Sequence, residues 1–191
     1  MARHFTHLVE YVPEPLFSDQ ELVSRARGGD PNAVAELYRL HSPAVFRYCY
    51  FRVQDRETAE DLTGEVFVKM VEGLPRYQER GVPITAWLFR IAHDRVVDHH
   101  RRWVHRQTDP ISDGLETTEP GTEAQALESS ERDHVWKLIG TLTEEQRTVI
   151  QMRFVEGLSL EDCAHALGKT TGAIKALQHR ALRQLAQKLE H

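Results

Sequence analysis

The stretch from Thr141 to Leu185 constrains the fold most, because it holds, in order, two capped helices, a tight turn at Gly168 and a longer amphipathic helix. Thr143 and Gln146 form a capping box ahead of Val149, Ile150 and Phe154, which helical spacing turns inward. Ser159 caps the next helix, whose Leu160, Cys163, Ala164 and Leu167 make a buried side. The last helix begins at Thr170 or Thr171 and carries Ile174, Leu177, Ala181 and Leu185 at helical spacing. Lys175, Gln178, His179 and Arg180 are left on the opposite face. This is the plan of a helix-turn-helix. Cationic and amide groups on such a face reach base edges and phosphates in a major groove. A solvated amphipathic helix fits the same residues, and they alone leave both readings open.

The remainder of the chain is also helical by pattern. Residues 1–17 contain Pro13 and Pro15, show no period, and are read as an N-terminal extension. Ser18 with Glu21 opens a first helix that Gly28-Gly29 closes, and Asp30-Pro31 opens a second. Ser42-Pro43 repeats that device and predicts a third helix to about Val53. Asp55 caps a fourth running to Gly73, and after an arginine-containing loop a fifth starts near Pro83 and passes Arg102. No strand-like alternation interrupts them. The expected fold is therefore all-α, with two small helical domains at 18–106 and 133–191 joined by a linker at 107–132. The second domain is expected to hold four helices, the first with Val135, Trp136, Ile139 and Leu142 on one face.

Charge divides the chain more sharply than its net value of -5 suggests. Residues 107–133 hold eight acids against Arg132 alone, in a Thr, Glu, Gly, Ser and Pro background that reads as a flexible acidic linker. Residues 76–106 hold seven arginines against three acids, and 168–191 five bases against Glu190. Two basic segments flank an acidic one, which suits a nucleic-acid partner better than the total does. No apolar run nears twenty residues and the N-terminus lacks a signal-peptide pattern, so a cytoplasmic location without membrane insertion is expected. Cys49 and Cys163 are too few for a disulfide framework and are expected to fill small gaps in the core.

Three segments together resemble the sigma-70 family of RNA polymerase sigma factors, in its small extracytoplasmic-function form. They are Ala59-Glu60-Asp61-Leu62-Thr63-Gly64-Glu65-Val66-Phe67, Ala86-Trp87-Leu88-Phe89-Arg90-Ile91-Ala92 with Asp98 and Arg101-Arg102 beyond, and Gly172-Ala173-Ile174-Lys175 through His179-Arg180-Ala181. The resemblance covers residues 20–106 and 134–187 and implies a region 2 helical bundle followed by a region 4 helix-turn-helix. It implies an alternative sigma factor that binds the beta and beta-prime subunits of core RNA polymerase, recognises promoter -10 and -35 elements and promotes initiation. Many relatives also have an anti-sigma partner. The acidic linker, by the same resemblance, threads toward the RNA exit path of the polymerase.

Residue by residue, the resemblance assigns Asp61 and Glu65, with Phe67 as an apolar neighbour, to core-polymerase binding. The i, i+4 spacing puts both carboxylates on one helical face, where the plainer reading is a solvated surface with a Glu65–Lys69 pair. The -10 element falls to Tyr77, Gln78 and Arg80 in the loop, which suit an unstacked base, and to Arg90, His93 and Arg101 on the following helix. Trp87, Leu88 and Ile91 are expected in the core, and Asp98 in an intrahelical ion pair with Arg95 or Arg102. The -35 element falls to Thr170, Thr171, Lys175, Gln178, His179 and Arg180, with phosphate at the helix N-terminus. The chain departs from the commoner family pattern at Gly64, Ile84, Asp94, Ala176 and Leu177. These changes bear on promoter preference, and Asp94 is expected to pair with Arg90.

His93, His99, His100 and His105 lie close in sequence, but adjacent helical positions diverge by about 100 degrees and no cysteine completes a closed site, so no metal and no cofactor are expected. No glycine-rich phosphate loop or nucleophile motif marks an enzyme. Two rivals remain. A helix-turn-helix activator or repressor explains 134–191 but leaves Asp61–Phe67 and Trp87–Arg102 without a purpose, and a pure interaction protein would bind polymerase or a regulator without reading DNA.

Overall fold

The computed structural model describes residues 17–77, 81–108 and 138–189, and its secondary structure there is helical without strands. The N-terminal half contains α1 (Asp19–Arg27), α2 (Pro31–Val53), α3 (Arg56–Gly73), a 3₁₀ turn at Leu74–Arg76, and α4 (Ile84–Thr108). The C-terminal half contains residues 138–140, α5 (Glu144–Ile150), a π-helical turn at Gln151–Val155, α6 (Leu160–Leu167) and α7 (Thr171–Leu189). Val135 and Trp136, the proposed extension and most of the linker lie outside the described residues.

Most starts and stops follow the cap chemistry. Both Ser18–Glu21 and Thr143–Gln146 make reciprocal capping boxes, and Ser159 makes a third with Asp162. Asp30 and Asp55 accept from the first-turn amides of α2 and α3. Gly168 takes φ of 61°, a left-handed conformation that costs a glycine little and lets α6 turn into α7.

Two expectations are corrected. Ser42-Pro43 starts no new helix: Pro43 lies inside one continuous α2. Proline keeps φ at a helical value but forfeits a backbone bond and crowds the carbonyl one turn back, at a cost of about 3 kcal/mol, whereas the stripe Leu37, Val45, Tyr48, Cys49 and Arg52 stays buried along the whole element. The His41–Asp19 contact of 3.0 Å ties the same stretch to α1, so tertiary packing overrides the local break. Phe154, expected in the core, is 57% exposed. The π turn is the reason. The Glu156 amide donates to the Gln151 carbonyl five residues back, and the extra residue rotates the following side chains away from the α-helical register. Met152 and Leu158 occupy the interior instead.

The core forms where α1 to α4 pack together, centred on Leu22, Leu37, Tyr48, Met70, Leu88 and Phe89. Tyr48 and Phe89 meet edge to face at 5.5 Å, a favourable arrangement for two rings. Cys49 and Cys163 fill core positions, and burial raises their thiol pKa values to about 12 and about 11.

Two glycines of α3 have opposite packing requirements. A Cβ at Gly73 would stand 2.7 Å from Cζ2 of Trp87, whereas one at Gly64 would meet open space. Gly73→Ala is therefore expected to destabilise by roughly 1–3 kcal/mol through overpacking, and Gly64→Ala to stabilise by up to about 1 kcal/mol through helix propensity. Urea unfolding of the two variants measures both signs.

Candidate nucleic-acid interface

Three exposed helical faces carry the candidate functional groups. On α3, Asp61 and Glu65 are exposed one turn apart, and neither forms an ion pair among the described residues. Lys69 bonds Glu72 at 2.8 Å rather than Glu65, so both carboxylates remain available to a basic partner. Phe67 does not join them. It is 6% exposed and meets Tyr38 edge-on at 4.7 Å, because its position turns toward α2. Val68 takes its place on the outer face, three residues after Glu65, with Val71 beside it, and both are exposed. Sequence reading passed over Val68, although its spacing from Glu65 was the available signal.

The second face belongs to α4. Arg90, Asp94 and Arg101 are exposed on one side of the helix, one and then two turns apart, and His100 is exposed nearby. Trp87 and Ile91 pack partly buried against the core, and Leu88 is wholly buried. Asp98 bonds Arg95 at 3.0 Å, whereas the Nε of Arg102 donates to its backbone carbonyl. Asp94 forms no ion pair with Arg90 among the described residues, contrary to expectation. Tyr77 also differs from expectation, since its ring is buried and stacks on Trp87 at 4.7 Å while its hydroxyl donates to the Val82 carbonyl. That ring anchors the start of the loop to α4 instead of offering a free platform. Gln78 and Arg80 lie outside the described residues.

His93 is likewise turned from the exposed face. It is partly buried and its Nδ1 lies 3.1 Å from the Tyr48 hydroxyl. The tautomer of the ring sets which of the two groups donates. Burial first, and the Arg52 guanidinium second, hold its pKa below the ordinary 6.5, although the carboxylates of Asp94 and Glu144 oppose them and Lys169 adds to them. A depressed imidazole pKa contributes stability above the unfolded value, which is lost as pH falls through 6.5 toward the folded value. The melting temperature is therefore expected to fall more between pH 7.5 and 5.5 for the native protein than for His93→Gln.

The third face is on α7. Thr170 caps the helix through a 3.2 Å bond from the Ala173 amide, and Thr171 follows exposed in the first turn. Lys175, His179 and Arg180 are exposed together, while Ile174, Leu177 and Ala181 are buried beneath them. Gln178 is only half exposed, because its carbonyl accepts from Arg153 Nε at 3.3 Å. Arg183, exposed four residues after His179, extends the cationic row. Sequence reading omitted it despite its regular spacing.

This order of surfaces agrees with known proteins. Sigma-70 region 2 matches residues 37–105, and Sigma-70, region 4 matches 138–187. The ECF RNA polymerase sigma factor SigD of Mycobacterium tuberculosis is 36% identical over 174 residues, covering 88% of this chain and 82% of SigD. The chain belongs to the sigma-70 family, in its extracytoplasmic-function branch. It is an alternative sigma factor, which works with core RNA polymerase on promoter DNA in transcription initiation. The ECF RNA polymerase sigma factor BldN of Streptomyces coelicolor is also 36% identical, over 88% of this chain, which spans 65% of BldN's length. A solved structure of the sigma factor RpoE with the anti-sigma factor NepR from Bartonella quintana has a similar fold, with a TM-score of 0.65 at 22% identity over 82% of this chain and 96% of that one. The region 2 match extends the family beyond the helix-turn-helix, which removes the basis for the activator or repressor reading. No helix among the described residues is long and apolar enough to cross a membrane.

Proposed function

We propose that the three exposed faces divide the work of this sigma factor between them. The carboxylates of Asp61 and Glu65, flanked by exposed Val68, dock region 2 on a basic surface of core polymerase. Arg90 and Arg101 hold backbone phosphates next to the melted -10 element, with Gln78 and Arg80 in the preceding loop as contacts to an extruded base. Lys175, His179, Arg180 and Arg183 read or brace the -35 element from the major groove, and phosphate sits at the α7 N-terminus beside Thr170 and Thr171. Phe67, Tyr77, His93 and Gln178 act behind these surfaces by supporting the helices that carry them.

The division assigns 18–106 to core and -10 binding, 133–191 to -35 binding and the acidic 107–132 to the connection between them. Catalysis belongs to the polymerase, and the protein works in the cytoplasm. An anti-sigma partner of the kind bound by RpoE suits a factor with exposed docking carboxylates. The observation that carries the assignment is the exposure of three charged faces on helices whose opposite sides are core.

Permanganate footprinting of promoter complexes tests the region 2 half. The paired substitution of Arg90 and Arg101 by alanine is expected to cut reactivity of -10 thymines several-fold while -35 protection persists. Undiminished melting would remove those two arginines from the -10 assignment.

A further inference from the structure

One carboxylate beside the DNA face of α4 has no partner. Asp94 is exposed one turn after Arg90, and it makes no hydrogen bond or ion pair among the described residues. It lines a cleft of about 270 Å³ between α3 and α4, together with Lys69, Trp87, Ile91 and Arg95. Positions 87, 91, 94 and 95 recur at helical spacing, which puts them on one side of α4, and the packing of α3 against α4 adds Lys69. Trp87 is a fixed wall of this cleft. Tyr77 stacks on its ring at 4.7 Å, and Gly73 lies so close that a Cβ there would stand 2.7 Å from Cζ2. Tyr77 directly precedes Gln78, so the loop assigned to the extruded base begins at the cleft wall.

We propose that this cleft receives the extruded base of the melted -10 strand and that Asp94 makes it select guanine. The inference rests on the assignment of α4 to the -10 element. A carboxylate offers two acceptor oxygens and no donor. An unstacked base is read on its Watson–Crick edge, and only guanine carries two adjacent donors there, N1–H and the N2 amine. Both Asp94 oxygens are then used at once, and charge-assisted bonds in such a pair are strong. Adenine and cytosine set a ring-nitrogen acceptor beside their amine, and thymine flanks its one N–H with two carbonyls. Each of those edges turns an acceptor toward an Asp94 oxygen and leaves it unsatisfied, which costs binding.

The rest of the cleft suits the nucleotide that carries this edge. Trp87 and Ile91 are partly buried apolar groups against which a base can rest. Lys69 and Arg95 supply the positive charge that a phosphate needs and that Asp94 alone would oppose. Lys69 pairs with Glu72 at 2.8 Å and Arg95 with Asp98 at 3.0 Å, both at the surface, where such pairs contribute little and can be exchanged for a phosphate. The Nε of Arg95 is buried without a hydrogen-bond partner among the described residues, a donor that a phosphate oxygen would satisfy. Asp94→Asn replaces one acceptor by a donor, which matches the mixed edges of adenine and cytosine instead.

Transcription from a promoter pool randomised at every -10 position tests this, with core polymerase assembled on the full chain and the transcripts sequenced. The native holoenzyme should favour guanine roughly tenfold at one position, the range of a good bidentate pair. Asp94→Asn should cut that preference at least about fivefold there and leave the other positions as they are, and Asp94→Ala should abolish it. Asp94 is exposed and outside the core, so both variants should keep the native melting temperature. A native preference for another base at the position that Asp94 controls, or a guanine preference that survives both substitutions, would overturn the inference. Selectivity absent from every -10 position would instead fault the assignment of α4 to that element, and the role of the cleft would fall with it.

Discussion

Replacing Asp61 and Glu65 together by alanine is expected to weaken binding to core RNA polymerase about 30-fold. Both side chains are exposed and unpaired among the described residues, so the fold does not depend on them. Their value lies in the basic surface they would meet. Losing two charges from a charge-paired interface costs on the order of 2 kcal/mol, with case-to-case spread, which corresponds to about 30-fold in affinity. The helical content and melting temperature of the variant should match the native protein, and the DNA affinity of region 4 should be unchanged. Lysine at the same two positions should weaken docking further, because repulsion then replaces attraction. Fluorescence anisotropy with purified core reads all three proteins, and unaltered affinity would detach α3 from the docking role.

Lys175→Ala combined with Arg180→Ala is expected to act on the promoter rather than on the polymerase. A lysine on phosphate contributes binding that depends on salt but not on sequence, whereas an arginine on a base edge contributes about 1–3 kcal/mol of discrimination. Removing both should lower use of a promoter with an intact -35 element by roughly 10- to 100-fold. A promoter with that element scrambled should change little. The ratio between the two templates therefore collapses in the variant. Equal losses on both templates would show that α7 supplies only general attraction to DNA. His179→Ala and Arg183→Ala, on the same exposed row, rank the remaining contacts.

Much of this architecture was legible in the sequence because its helices are punctuated chemically. Ser18, Asp30, Asp55, Thr143 and Ser159 each sit where a cap is needed, and Gly168 supplies the left-handed turn. Ser42-Pro43 carried the same local signal and failed, since a continuous buried stripe on α2 outweighs one lost backbone bond. Phe154 failed for the opposite reason. A π turn has no simple sequence signature, yet it shifts every later side chain.

The site followed a similar division. Exposed charged residues such as Asp61, Arg90 and Lys175 were found by helical spacing, because a charge opposite an apolar stripe must face solvent. Phe67, Tyr77, His93 and Gln178 lie near the edge of a stripe, and only their neighbours decide which way they turn. Buried Arg52 of α2, which reaches Glu144 and Thr148 of α5, was not foreseen at all. Its partners lie 92 and 96 residues away, and no local pattern announces a buried arginine.

Runoff transcription with purified core polymerase and a promoter that bears both elements tests the central claim most directly. Core alone should yield no defined transcript, and addition of the native protein should produce one from a fixed start. The Asp61 and Glu65 double variant should lose that product through weak docking, and the Lys175 and Arg180 double variant only where the -35 element is needed. A native protein that confers no start-site selection on core would contradict the account.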